Sequence, residues 1–210
     1  MHSNHAQNLL LHQALYNKTM AAANATGLPL IVVDEALQKG KSFGEKYCNA
    51  LEIGFNKGFE KIISIGTDCA TLTTEILLNA HATSSSKNLI GGDDNGGFYL
   101  FALHKQLYNR KYFSSFNWCS AHLVKDIFSY FKSKNLQVPT FIQNGLDINS
   151  TNDLFKVFKE KNTASFFSLL FQLFNKVIDQ ANVSFKKINY LFLHIFLLRG
   201  PPSRVAISFL

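Results

Sequence analysis

Acidic residues are scarce in this chain. There are 14 Asp and Glu in 210 residues against 21 Lys and Arg, a formal charge of +7. Cysteine is scarcer still: Cys48, Cys69 and Cys119 are widely spaced, with no CxxC pair. That excludes a disulfide framework and a structural zinc site, and it suits a reducing cytoplasm. No apolar run is long enough to span a bilayer. Ile188–Leu198 is very apolar but short, contains His194, and reads as a buried helix. The N-terminus lacks the basic start and apolar core of a secretory signal, so a cytoplasmic location is expected. Walker A, GxSxG and HExxH patterns are absent, which removes several nucleotide and hydrolase chemistries. No basic run interleaved with aromatics suggests a nucleic-acid module.

The elements that are present alternate. Ala6–Ala25 has helical spacing and ends before Gly27 and Pro29. Leu30–Val33 is a strand. A helix enters near Phe43 and stops at Gly58. Ile62–Ile65 is a buried strand cut off by Gly66, and Leu72–Ala80 is helical. Asn88–Ile90 and Phe98–Leu103 are strands, Ala121–Ser133 is a helix, and Gln137–Ile142 is an edge strand interrupted by Pro139. Helix–strand alternation predicts an α/β fold with a mostly parallel sheet. Residues 1–160 are expected to form that domain and 161–210 a helical C-terminal extension. The terminal VAISFL is read as a strand or a frayed tail. The segment from Thr151 to Leu210 carries eight Lys/Arg and three Asp/Glu. A solvated lysine face accounts for it, with peripheral membrane association as a weaker reading.

With few carboxylates available, their placement matters. Asp68 follows the strand Ile62–Ile65 at once, where open α/β sheets bind ligands. It could equally cap the following helix or close a turn. Gly91–Gly97, GGDDNGG, is the most glycine-dense stretch. It allows tight turns and close approach of a ligand, or serves as a plain connection. For Asp147 and Asp153 a capping role is the simpler reading. Cys69 beside Asp68 reads as a small buried hydrophobe, because a neighbouring carboxylate does not activate a thiol.

Taken in order, several segments resemble a bacterial family of transferases with a GT-A-like, nucleotide-diphospho-sugar transferase fold. Some of its members are glycosyltransferases linked to arsenosugar biosynthesis or are radical-SAM/selenodomain-associated. The segments are Gln38, Gly40, Phe43, Gly44 and Glu45; then Ile65, Gly66, Asp68 and Leu72; then Gly91 through Leu100; then Trp118; and finally Asp147, Asn149, Asp153 and Leu154. The resemblance implies a three-layer GT-A-like fold and a metal-dependent glycosyltransferase-like activity on a nucleotide sugar and an unspecified acceptor. It implies Mg²⁺ or Mn²⁺ held by Asp68 and Asp147. Catalytic roles would fall to Asp68, Asp94 and Asn95, and substrate contacts to Gly66, Gly96, Gly97, Glu45 and Trp118. Ala70 and Gly92 stand where the family has proline, and Asn95 and Asn149 where it has acidic residues. Relatives also begin with a further strand and a basic loop. The resemblance therefore implies a gap in the sheet beside Ile62–Ile65, and it leaves a catalytically inactive binding or scaffold protein as the alternative. A homodimer is compatible with either.

Overall fold

The computed structural model describes residues 2–148, 153, 157 and 205–209. Helix α1 (His2–Asn24) buries Leu11, Ala14, Leu15, Thr19 and Ala23, the spacing of a single helical face. Gly27 turns the chain at φ +69° ahead of strand β1 (Leu30–Val33). Helix α2 (Phe43–Asn56) begins with a complete capping box. The Ser42 hydroxyl accepts from Glu45 N–H, and the Glu45 carboxylate accepts from the Lys41 and Ser42 amides.

Strand β2 (Lys61–Gly66) is buried on both faces, as a central strand requires. Thr73 caps helix α3 (Thr74–Thr83) through Ile76 N–H. Strands β3 (Leu89–Gly92) and β4 (Phe98–His104) follow, then the short helix α4 (Arg110–Ser115), helix α5 (Leu123–Ser133) and strand β5 (Thr140–Phe141). Strand β6 is Val205–Phe209.

The six strands form one sheet in the order β1-β6-β2-β4-β3-β5. It is a mixed sheet, which corrects the expectation of a mostly parallel one. β3 pairs with β5 in parallel, and every other pairing is antiparallel. Two features cause this. The glycine-rich stretch folds back as a tight connection, so β3 and β4 are antiparallel neighbours with no crossover helix. β1 and β2 do run parallel, joined through α2, but they do not touch, because β6 lies antiparallel between them. The expected gap beside Ile62–Ile65 is therefore filled, by the segment first read as a strand or a frayed tail. The expected helical character of 161–210 lies mostly outside the described residues, whereas 205–209 is a strand of the main sheet.

Helices cover both faces. Ile62, Ile90, Phe101 and Leu103 pack with α2, α4 and α5, where Tyr47, Leu51, Phe113, Ile127 and Phe131 are buried. Ile63, Ile65, Leu89, Leu100 and Ala102 pack on the other face with Ala23 of α1 and with Leu77 and Ala80 of α3. Side chains alternate across the sheet, so neighbours in β2 serve opposite cores. Ser64 is a polar residue in this core and is satisfied. Its hydroxyl meets Tyr47 Oη at 2.5 Å and donates to Phe101 C=O at 3.2 Å. Among the described residues no helix is long and apolar enough to cross a membrane.

Strands β1, β2, β3 and β5 all point the same way. Their carboxyl ends lie along one edge of the sheet, and the turns after β2, β3 and β5 meet there.

Candidate active site

Three of these turns are stitched to one another by the backbone. The segment 145–148 runs between the other two. Gly145 N–H donates to Gly92 C=O at 2.9 Å, in a parallel bridge that sets Asp93 against Gly145. Two residues on, Asp147 bridges Cys69 in antiparallel fashion. Ala70 N–H donates to Leu146 C=O at 2.9 Å, and Ile148 N–H donates to Asp68 C=O at 3.1 Å. The Thr71 hydroxyl accepts from Leu146 N–H at 3.0 Å. Tyr99 underlies the junction, its hydroxyl donating to Gln143 C=O at 2.8 Å. The result carries Asp68, Asp93 and Asp147 to one place.

The electrostatics follow from crowding. Burial raises the Asp68 carboxyl above its ordinary value, and the nearby Asp93 adds to this. Backbone hydrogen bonds from Asp68 and Thr67 and the charge of His12 oppose it. Asp147 is raised well above the ordinary value, first by burial and then by the charges of Asp68 and Asp93. Its carboxyl faces Asp93 and the Cys69 thiol, yet Asp147 Oδ1 is buried with no hydrogen-bond partner. An orphaned buried carboxylate oxygen among like charges suits a hard cation, which takes oxygen ligands. In the arrangement described, no three His, Cys, Asp or Glu side chains are already gathered in ligating geometry, among the described residues.

Asp93 also builds its own turn. Its Oδ1 accepts from Asn95 N–H at 2.7 Å and from Gly97 N–H at 2.8 Å, and its amide donates to Gly97 C=O at 3.1 Å. Gly96 adopts φ +83° and lies against Ala121, and its carbonyl accepts from Val124 N–H in the first turn of α5. A Cβ on Gly97 would meet Asp93 Oδ2 at 2.6 Å. Both glycines are thus required by close approach.

The predicted site residues fall into two groups. Gly66 and Asp68 end β2, with Asp68 Oδ1 close above Gly66, and Asp147 joins them. Asp94 and Asn95 are exposed at the tip of the neighbouring turn beside Gly96 and Gly97. Glu45 and Trp118 are occupied elsewhere. The Glu45 carboxylate caps α2, and its backbone hydrogen bonds hold its pKa below the ordinary value. The Trp118 indole N–H donates to Phe113 C=O at 2.7 Å. Its ring packs 4.6 Å from Tyr47 and 5.3 Å from Phe43, lying directly over Gly44.

Three further residues border the cluster. From the sequence, Asp93 stands with Asp94 and Asn95 as a contact for the sugar or acceptor, with no distinct part of its own. An Asp followed by glycines at the third and fourth positions is an Asx-turn signal, and such a turn points the first carboxylate inward. His12 and Lys18 come from α1. Lys18 donates to Leu72 C=O at 2.5 Å, and burial lowers its pKa. Nothing in the sequence of α1 marks either residue.

Cys69 is buried, and its thiol is pushed up to about 12, chiefly by burial and then by Asp147. Cys48 is buried too, while Cys119 is exposed. Titration of the native protein with a thiol reagent is therefore expected to show one fast thiol and two protected ones. Fast modification of Cys69, located by peptide mapping, would restore it as a nucleophile candidate.

A search of the curated proteins finds no match. One solved structure that is similar is described as a "putative nucleotide-diphospho-sugar transferase" from Desulfovibrio desulfuricans G20. It is 20% identical with a TM-score of 0.48, and the match covers 68% of this chain and 64% of that one. The present chain thus spans under two thirds of that protein's length. Residues 3–120, from the start of α1 through Trp118 and the turn that bears Asp93, match a family's sequence profile. The chain belongs to the family described as "Uncharacterized protein conserved in bacteria (DUF2064)".

Proposed function

We propose that the protein is a metal-dependent, glycosyltransferase-like enzyme of three-layer GT-A-like architecture, using a nucleotide sugar as donor. The observation that carries this reading is the meeting of carboxylates at the carboxyl edge of the sheet, around a buried oxygen that lacks a partner. Asp68 and Asp147 would hold Mg²⁺ or Mn²⁺. When bound, such a cation neutralises negative charge on a departing diphosphate.

The chain's own residues supply the surroundings. Asp68 is fixed by the amides of its own turn and by the bond from Ile148 to its carbonyl. Gly96 and Gly97 let the turn close against Ala121 and Asp93, and Gly66 leaves room for Asp68 Oδ1, so the three glycines shape the rim that a donor would meet. Asp94 and Asn95 stand exposed at the rim, where Asp94 could accept a proton from an acceptor hydroxyl and Asn95 could orient it. Three free cysteines suit action in the cytoplasm.

The test is a thermal-shift screen of nucleotide sugars with and without Mn²⁺. A donor present at about 100 times its Kd is expected to add roughly 2.7 kcal/mol to stability, and Asp68→Ala should abolish that gain. No shift with any donor, with Asp68→Ala indistinguishable from wild type, would discard the reading. The alternative, a catalytically inactive GT-A-derived binding or scaffold protein, is favoured by one observation. Glu45 and Trp118, both assigned substrate contacts by resemblance, are committed to a helix cap and an aromatic core. Nucleotide-sugar binding without turnover against a panel of acceptors would support it.

A further inference from the structure

We propose that Lys18 is a positioning residue of the candidate site, the side chain by which α1 holds the turn that carries Asp68. This rests on the reading above in taking that turn as the working part of the site. The turn runs from Gly66, the end of β2, to Thr73, the N-cap of α3. Its middle is held by the segment 145–148. Ala70 N–H donates to Leu146 C=O at 2.9 Å, and Ile148 N–H donates to Asp68 C=O at 3.1 Å. Its end is held by Lys18, whose Nζ donates to Leu72 C=O at 2.5 Å across 54 positions of sequence. A charged donor at that distance makes a strong bond. Lys18 has a firm base, because Leu11, Ala14, Leu15 and Thr19 of the same helix are buried.

The lysine stands where a cation is disfavoured. Burial holds its ammonium below the ordinary value. The carbonyl it meets lies one residue before the N-cap of α3, and the positive end of a helix repels a cation. Joining α1 to α3 does not require it, since Thr74 Oγ1 already donates to Ala22 C=O at 3.1 Å. The bond from Lys18, unlike that from Thr74, reaches the stretch that carries Asp68.

Three variants separate these roles. Lys18→Met removes the bond and keeps an apolar stem, while Lys18→Arg keeps a charged donor. Thr74→Val removes the other bond between α1 and α3 and serves as the control. Amide hydrogen exchange in the absence of any ligand reads the result, with the Ile62–Ile65 amides of the central strand reporting global opening. Relative to those, the Ala70 and Ile148 amides of Lys18→Met are expected to exchange about tenfold faster or more. Lys18→Arg should restore the wild-type ratio, and Thr74→Val should leave it unchanged. An unchanged ratio in Lys18→Met would overturn the proposal. So would an equal rise in Thr74→Val, since any loosening of α1 would then suffice. The nucleotide-sugar screen keeps this apart from the reading of function. If the ratio rises in Lys18→Met and no donor binds the wild type, the positioning role stands and the donor reading falls. If a donor binds the wild type, Lys18→Met is expected to weaken it about tenfold and Lys18→Arg to recover it. A donor bound equally well by Lys18→Met overturns the proposal and leaves the donor reading in place.

Discussion

Removing Val205–Phe209 is expected to lower the melting temperature by at least about 10 °C, or to abolish cooperative unfolding. β6 pairs with β1 over four residues and with β2 over five. Among the described residues, β1 has no other strand partner. At roughly 1 kcal/mol net per hydrogen bond, two ladders approach the whole 5–15 kcal/mol margin of a typical domain. A less drastic variant makes the same point. Ile207 sits opposite both Ile31 and Ser64, so Ile207→Pro inserts a residue without an N–H between two partner strands. Circular dichroism melts of the wild type, the deletion and Ile207→Pro would check this. A deletion that melts like the wild type would show that β6 is not what joins β1 to the sheet.

The second large effect concerns Asp147 and has an unusual sign. In a chelating buffer, Asp147→Asn is expected to stabilise the protein at pH 7 by about 1–3 kcal/mol, because it removes an uncompensated buried charge. An amide at that position can also donate to the Asp93 carboxylate. The pH dependence follows from the direction of the shift. The folded protein holds the Asp147 proton more tightly than the unfolded chain does, whose carboxyl titrates near 3.8. The unfolded state therefore releases its proton first. The contribution of this group is fully present below that value and is lost as pH rises through the higher folded value. Asp147→Asn should flatten that part of the stability profile, read as the difference between variant and wild type from pH 4 to 8. With Mn²⁺ present the ranking should reverse, since the wild type gains the cation and the variant does not. A variant less stable than the wild type in chelator at pH 7 would mean that Asp147 is satisfied in the fold.

Much of the local structure was legible in the sequence because single residues decide it. Gly27 and Pro29 close α1, Ser42 and Glu45 open α2, and the run Ile62–Ile65 can only be a buried strand. Asp68 at a sheet edge followed from the same run. The order of the sheet was not legible. Helix–strand alternation suggests parallel neighbours, but adjacency is set by which distant segments pair, and local residues do not encode that. Nothing in Val205–Phe209 announces that it belongs between Leu30–Val33 and Lys61–Gly66. The site was half legible for a related reason. Asp93, Asp94 and Asn95 drew notice together as a polar trio between glycines. What the sequence did not tell is that the turn folds the Asp93 carboxylate onto its own amides and leaves the other two at the tip. Trp118 and Glu45 had chemistry to offer, but nearer demands of packing and helix capping already hold them.

The position of β6 bears on how the protein is made. Gly66 pairs with Val205, across most of the length of the chain. A nascent chain that has emerged only as far as β5 therefore holds β1 and β2 as separate pieces, each with a bare edge. Their sequences, LIVV and IISI, are the kind that template pairing with other chains. Closure waits until Phe209 has left the ribosome and must then span a long loop, a slow step for any chain. Yield in cells should consequently depend on chaperone supply during synthesis, more steeply than the finished sheet would suggest.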